Sequence, residues 1–501
     1  MRSAKSFLFG LLIFLIPYIL FSFSTYKDFG ITADEELEIN AGKALGSYFL
    51  IGINPDNSVV PERHLPTNST YLRVYPALLS LLNFKGYFEW YHLINLLAGS
   101  ILFITFYGFI YRLSSSWRTA LLGTFVMFFT PRITGDVPVN LKDIPFATLY
   151  FFSLYLIYYT STKLRVSKIN LVIMGIVFGL TWGSRIIGLS IFIVYWAYNL
   201  FTYKPKKFID YFIISGNTFV LFIISLIPLF IFMPFFRLNF PESVVSLVTN
   251  AKNFEYWDRT FLFMGQFLTK FQRPSSYLPV WLLITTPIYI LFPFLLSIFT
   301  YLKTRKSVYI LGFLAIAINM LLYFIIRPVT YNGPRHFLFL FPIITLISFV
   351  SFLDLVYLAK IHGKLLVTSL FVAWIIGLGL TARTMILLHP YEYVYFNELI
   401  GGLNGAKGKF EMDYWFSSNK EASEWLSRNV DSGEMKKVYS CNLAFSTRYF
   451  SQAKFEIVNK AAEADYIICD YETDLKEGYK YPIVYTVERF GVPLNIVRKA
   501  R

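Results

Sequence analysis

Blocks of about twenty consecutive apolar residues recur along this chain, and that is the length a helix needs to span a hydrocarbon core of about 30 Å. They fall near 6–24, 90–111, 118–131, 144–160, 170–183, 186–203, 209–236, 277–301, 307–326, 336–358 and 364–387. The expected fold class is therefore an α-helical polytopic membrane protein with about 11 transmembrane helices. The first block has no small-x-small cleavage site after it and reads as an uncleaved span. Only 15% of the residues are charged, well below the roughly 25% of soluble proteins. A net charge of +15 would suit a nucleic-acid binder, but most Lys and Arg lie in the short gaps between blocks. No nucleic-acid partner is expected.

Those gaps give the chain its sidedness. Alternate gaps hold Arg2 and Lys5; Arg112 and Arg118; Lys163, Arg165 and Lys168; Lys204, Lys206 and Lys207; Lys303, Arg305 and Lys306; Lys360 and Lys364. By the positive-inside rule they form the cytoplasmic face. The expected location is the cell (inner) membrane, multi-pass, with a cytoplasmic N-terminus. Two domains follow: a transmembrane domain over 1–388 and an extracytoplasmic C-terminal domain over 389–501. The outer loops 25–88 and 237–276 are long. The first contains a helical stretch at 33–49 and an apolar stretch at 71–84 suited to the interface; the second carries Trp257, Asp258 and Arg273. In the tail, 418–428 reads as an amphipathic helix and 436–441, 454–458, 465–469, 482–487 and 493–498 as strands, making a small α/β domain. Gly175, Gly179 and Gly183 recur every four residues, which favours close helix packing in lipid.

Two sets of charges point to chemistry. Ile31-Thr-Ala-Asp-Glu-Glu36 opens the first outer loop. These acids suit a solvated helix N-terminus, or a general base taking a proton from a hydroxyl near the outer headgroups. Against the positive-inside trend, Arg132, Lys142, Arg185, Arg327, Arg335 and His336 lie on the outer side. Some could balance Asp136 or Asp143 or reach outer headgroups; as a set they could hold a lipid phosphate or pyrophosphate, for which the Arg fork is suited. A carboxylate base beside a cationic pocket is the layout for transfer from a phosphate-linked lipid donor, whose leaving group the cations stabilise.

Four segments carry a resemblance: Thr32-Ala-Asp-Glu35, Asn140-Leu-Lys-Asp-Ile-Pro145, Gly183-Ser-Arg-Ile-Ile-Gly188 and Tyr331-Asn-Gly-Pro-Arg-His336. In order and sidedness they resemble the GT-C-fold membrane glycosyltransferases of the glycosyltransferase 39 type, which include protein O-mannosyltransferases and aminoarabinose transferases. The resemblance implies a polyprenyl-phosphate sugar donor, inverting displacement and an acceptor protein, lipid or glycan approaching from the periplasmic face. It implies Asp34 as catalytic base with Glu35 in support, and Arg335, Arg185, His336, Lys142 and Asp143 as donor-phosphate or substrate-binding residues. After the last span, His389-Pro-Tyr-Glu-Tyr-Val-Tyr-Phe-Asn-Glu-Leu-Ile-Gly-Gly402 and Asp413-Tyr-Trp415 look like a stretch found in bacterial members with an outer C-terminal domain. Its aromatic density suits an interfacial belt or a contact with substrate.

Five histidines are scattered without metal-ligand spacing, so no metal site and no cofactor is expected; the lipid-linked sugar is a substrate. Cys441 and Cys469 read as buried thiols, or as one disulfide if the tail lies in an oxidising compartment. The competing readings are a membrane transporter and a lipid-linked oligosaccharide ligase or phosphatase. A transporter would carry charges near mid-span and an internal repeat, whereas here the charges sit at span ends on one side.

Overall fold

The computed structural model describes residues 2–52, 61–82, 87–161, 166–252, 259–430 and 435–501. Lys163, Arg165, Trp257 and Asp258 lie outside the described residues. Every apolar block of the sequence is helical, but not every one is a straight span. Among the described residues seven helices are long and apolar enough to cross a membrane, or eight if one bent pair is a single span. The block at 118–131 yields only Trp117–Phe128, about 18 Å of helix at 1.5 Å per residue, and the block at 170–183 yields Lys168–Ser184. The block at 277–301 breaks into Tyr277–Thr285 and Ile288–Leu295, set at 118°. Pro287 is the cause: the residue before a proline is driven out of the helical region, and Thr286 sits at φ −86°, ψ 125°.

Lipid exposure follows from which helices lack protein cover. Leu340–His362 has 78% of its apolar window buried and runs through the middle of the bundle, whereas Lys364–Leu388 has only 11% buried. An apolar helix with so little protein around it is stable only against hydrocarbon. This is a multi-pass membrane protein.

Helices Lys168–Ser184 and Phe208–Phe232 pack along the glycine row. A Cβ on Gly179 would collide with the Ser225 carbonyl oxygen and with Pro228, and one on Gly175 with Ile224. Gly179→Leu is expected to destabilise the protein by about 1–3 kcal/mol through overpacking. Gly216→Leu, at a site with nothing within 4 Å, should leave thermal unfolding in detergent unchanged.

The segment 25–88 contributes Glu35–Ile51 and Val74–Leu81, packed against each other. Phe49, Leu50, Ile51, Leu78 and Leu81 stay exposed at one end of the pair, an apolar surface suited to the bilayer interface. In the segment 237–276, β1 (Phe261–Phe263) and β2 (Gln266–Leu268) form a hairpin. The tail forms helix Asn419–Asn429 and five strands: β3 (Lys437–Ser440), β4 (Glu456–Val458), β5 (Tyr466–Asp470), β6 (Ile483–Arg489) and β7 (Val492–Lys499). Their order is β4-β3-β5-β7-β6, with β3 parallel to β4 and β5 and with β7 antiparallel to β5 and β6. Cys441 follows β3 and is disulfide-bonded to Cys469 in β5, their Cα atoms 5.0 Å apart.

The tail is tied to the helical body by polar contacts. His389 Nδ1 lies 2.6 Å from Glu392 Oε1 and its Nε2 lies 2.9 Å from Asp28 Oδ2, at the end of the first helix. Burial opposes the imidazolium, but Glu392 and then Asp28 outweigh it and push the pKa up to about 9. A raised histidine pKa stabilises the fold fully below its unfolded value of about 6.5, and that contribution is lost as pH rises through about 9. The melting temperature is expected to fall more steeply between pH 7 and 9.5 in the unaltered chain than in His389→Gln. Parallel slopes would remove this contact from the stability of the docked tail.

Candidate active site

The site begins at a helix start. Thr32 and Glu35 have capping-box spacing, and Glu35 Oε2 accepts from the Thr32 backbone N–H at 2.7 Å and from Thr32 Oγ1 at 3.0 Å. Its other oxygen lies 2.9 Å from His92 Nε2, and the side chain is fully buried. Glu35 thus braces the turn and is not brought to the cavity described below. Glu36 is partly exposed and faces the tail, where the charge of Arg448 reaches it. Asp34 is different: its carboxylate makes no cap hydrogen bond and is 21% exposed, with Lys142 Nζ and Arg335 Nη1 both 3.3 Å from Oδ2. Burial would raise its pKa, but Lys142 and then Arg335 hold it well below the usual carboxylate range.

Lys142 and Asp143 are set by Asn140, whose Oδ1 accepts from both their backbone N–H groups at 3.2 and 2.8 Å. An Asx turn of this kind starts helix Asp143–Thr160. Asp143 pairs with Arg185 and accepts from Asn140 Nδ2 at 3.2 Å. Arg185 stands in the break between Lys168–Ser184 and the next helical stretch, with extended backbone. Arg335 follows the turn at Asn332 and Gly333, both at positive φ. Its guanidinium lies between the rings of Tyr331 and Trp415, at 5.0 and 4.7 Å from their centroids.

Lys142, Arg185, Arg335 and His336 line one cavity of about 180 Å³ with Tyr71, Ser184 and Thr330, walled by Ile186, Ile187, Leu247, Val329 and Phe337. Thr330 Oγ1 is buried there without a hydrogen-bond partner. His336 is brought to the cavity, but burial and then the charges of Arg185 and Arg335 push its pKa well down, so it adds a neutral hydrogen-bonding ring and not a third kind of cation. Of the remaining outward cations, Arg327 is exposed and Arg132 is fully buried elsewhere. Arg132 donates to the Tyr395 carbonyl at 3.1 Å and lies over the rings of Trp281, Phe396 and Tyr414.

One acid, Glu38, was not singled out from sequence. Glu38 is fully buried; its Oε1 lies 3.0 Å from Lys142 Nζ and its Oε2 accepts from Arg73 Nε at 3.1 Å. The four-residue spacing from Asp34 puts both acids on one helical face, but it does not show that Glu38 is buried between two cations. The aromatic stretch after the last span, expected as an interfacial belt or a substrate contact, packs inside the protein. Tyr391, Tyr393, Tyr395, Phe396, Tyr414 and Trp415 are buried, not laid out as an interfacial belt. Trp415 donates to Asp136 Oδ1 at 2.8 Å and backs Arg335.

On the other side of the Asn332–Arg335 turn lies a cavity of about 270 Å³, lined by Asn332, Glu411, Asp413, Asp470 and Glu472 with Arg259 and Lys476. Burial pushes the pKa of Glu411 up to about 8 and that of Asp413 to about 7. The two cavities therefore have opposite polarity, and only the first favours an anion. Among the described residues no group of three or more His, Cys, Asp or Glu could hold a metal ion.

A bundle of apolar helices followed by a small C-terminal sheet domain, this chain has the GT-C fold. ArnT from Cupriavidus metallidurans bound to undecaprenyl phosphate shares this fold, with a TM-score of 0.51 and 12% identity over 98% of each chain. The same protein in its apo state gives 0.48 and 12%, over 99% of this chain and 98% of that one. The Archaeoglobus fulgidus oligosaccharyltransferase tethered with an acceptor peptide gives 0.46 and 12%, over 93% of this chain and 69% of that one. No family model and no curated protein matches the sequence.

Proposed function

We propose that this chain is a glycosyltransferase of the family 39 type that moves a sugar from a polyprenyl-phosphate donor to an acceptor hydroxyl on the periplasmic face. Its N-terminus would be cytoplasmic, with 1–388 forming the transferase body and 389–501 the extracytoplasmic domain. The observation that carries the reading is the cavity lined by Lys142, Arg185 and Arg335, which has apolar walls and cations that also touch the Asp34 carboxylate. Apolar walls suit a polyprenyl chain, and the cations suit its phosphate.

In the reaction the acceptor oxygen attacks the anomeric carbon as Asp34 takes its proton. The bond from that carbon to the phosphate oxygen breaks, and its electron pair leaves with the phosphate. Lys142, Arg185 and Arg335 stabilise the charge developing there. Because displacement occurs on the face opposite the phosphate, the anomeric configuration inverts. Asp143 acts by orienting Arg185, and neutral His336 offers a hydrogen bond to the donor.

The test is reconstitution of the chain in liposomes with polyprenyl-phosphate sugars extracted from cells and labelled in the sugar. Label appearing on an acceptor, with release of polyprenyl phosphate, supports the reading. Label released as free sugar phosphate would assign a phosphatase-like activity, and label carried intact across the bilayer a transporter.

A further inference from the structure

Lys142 and Arg335 each belong to two places. Both line the cavity, and both contact the same oxygen of Asp34 at 3.3 Å. Lys142 also contacts Glu38, and the two carboxylates around it are not equivalent. Glu38 is fully buried and has Arg73 as a second cation on the side away from Asp34. Asp34 is 21% exposed, and its ion-pair partners are cations of the cavity itself. An anion entering the cavity therefore meets cations already engaged by Asp34. It can displace that carboxylate far more readily than Glu38, because Asp34 can turn to solvent whereas a buried carboxylate stripped of a partner is costly.

We propose that the donor phosphate and Asp34 compete for Lys142 and Arg335, with Glu38 a positioning residue that keeps Lys142 beside the cavity, so that seating the donor is what frees Asp34 to accept the acceptor proton. The inference rests on the donor reading above and adds an order to it. Without donor, Asp34 is masked by two cations and is a weak base, so a hydroxyl arriving first is not activated. With donor seated, the cations turn to the phosphate and the proton affinity of Asp34 rises. The groups facing Asp34 in this exchange are Lys142, Arg335 and Arg185, with Glu38 one helical turn away. Charge also balances at the end of the step. The proton has moved from the acceptor hydroxyl to Asp34, which then needs no counter-ion, and the phosphate has gained the electron pair and holds the cations more strongly than the donor did.

The test uses the full chain in lipid nanodiscs with undecaprenyl phosphate as the probe and inorganic phosphate as the headgroup alone. Asp34→Asn is expected to bind undecaprenyl phosphate about tenfold more tightly than the unaltered chain, although it removes the base. Glu38→Gln removes the same charge beside Lys142 and is expected to give no tightening. Inorganic phosphate should follow the same order at lower affinity; an order seen only with the lipid would assign the effect to the chain and overturn the competition. Unchanged or weaker binding by Asp34→Asn overturns it, as does equal tightening in Glu38→Gln, which would mark a general charge effect. Should either variant fail to fold, aspartate-labelled infrared difference spectra of the unaltered chain supply the readout. A carboxylate band displaced on adding undecaprenyl phosphate is expected, and an unmoved band overturns the inference. Failure of the unaltered chain to bind undecaprenyl phosphate at all would instead remove the donor reading itself.

Discussion

Asp34→Asn is expected to lower the rate of sugar transfer by about 10²- to 10⁴-fold, the usual contribution of a positioned general base. The amide keeps the shape of the side chain and an oxygen for Lys142 and Arg335, so the fold should survive. Lys142 retains Glu38 at 3.0 Å, and Arg335 retains the rings of Tyr331 and Trp415. What disappears is a carboxylate able to hold a proton. Glu35→Gln provides the contrast. It lies against Thr32 and His92, so its effect should appear as lost stability with turnover per folded molecule largely kept. Full transfer by folded Asp34→Asn, measured with donor saturating, would take the base role away from this residue.

Arg335→Ala should weaken donor binding by about 10- to 100-fold, from the loss of charge-assisted hydrogen bonds of roughly 1.5–3 kcal/mol. Arg335 is almost wholly buried, and its planar group fits the slot between two rings, which an ammonium fills poorly. Arg335→Lys should therefore recover only part of the affinity while restoring the charge. Undecaprenyl phosphate binding in nanodiscs checks both variants, and unchanged affinity in Arg335→Ala would exclude it from the phosphate site. The alanine variant also leaves Trp415 without its stacking partner, so a lower melting temperature is expected alongside.

How far the sequence revealed this arrangement depended on whether each signal was local. Apolar blocks and alternating β-prone runs are local, and every block became helical while all five tail runs became strands. The block at 277–301 hid its break because it is apolar nearly throughout; of its three prolines, Pro279, Pro287 and Pro293, the sharp bend falls at Pro287. The cations away from the Lys- and Arg-rich gaps stood out against the positive-inside pattern, and Lys142, Arg185 and Arg335 do meet at one cavity. Their company was not legible. Glu38 resembled an ordinary acid near a helix start, and only folding shows that it is buried between Lys142 and Arg73. The lowered proton affinity of His336 comes first from burial, then from Arg185 and the neighbouring Arg335, with Lys142 and Arg273 adding to it, and most of these are distant in sequence. Arg132 shared the outward pattern and was drawn under aromatic rings instead.

The contact between Trp415 and Arg335 also bears on how the protein is made. Asp34 emerges from the ribosome early and Arg335 late, and the ring that backs Arg335 follows still later, beyond the last membrane helix. The cavity lining is complete in the chain by Phe337, but the ring behind Arg335 arrives only with Trp415. Arg335 is therefore flanked by both rings only once the segment after the last helix has packed against it.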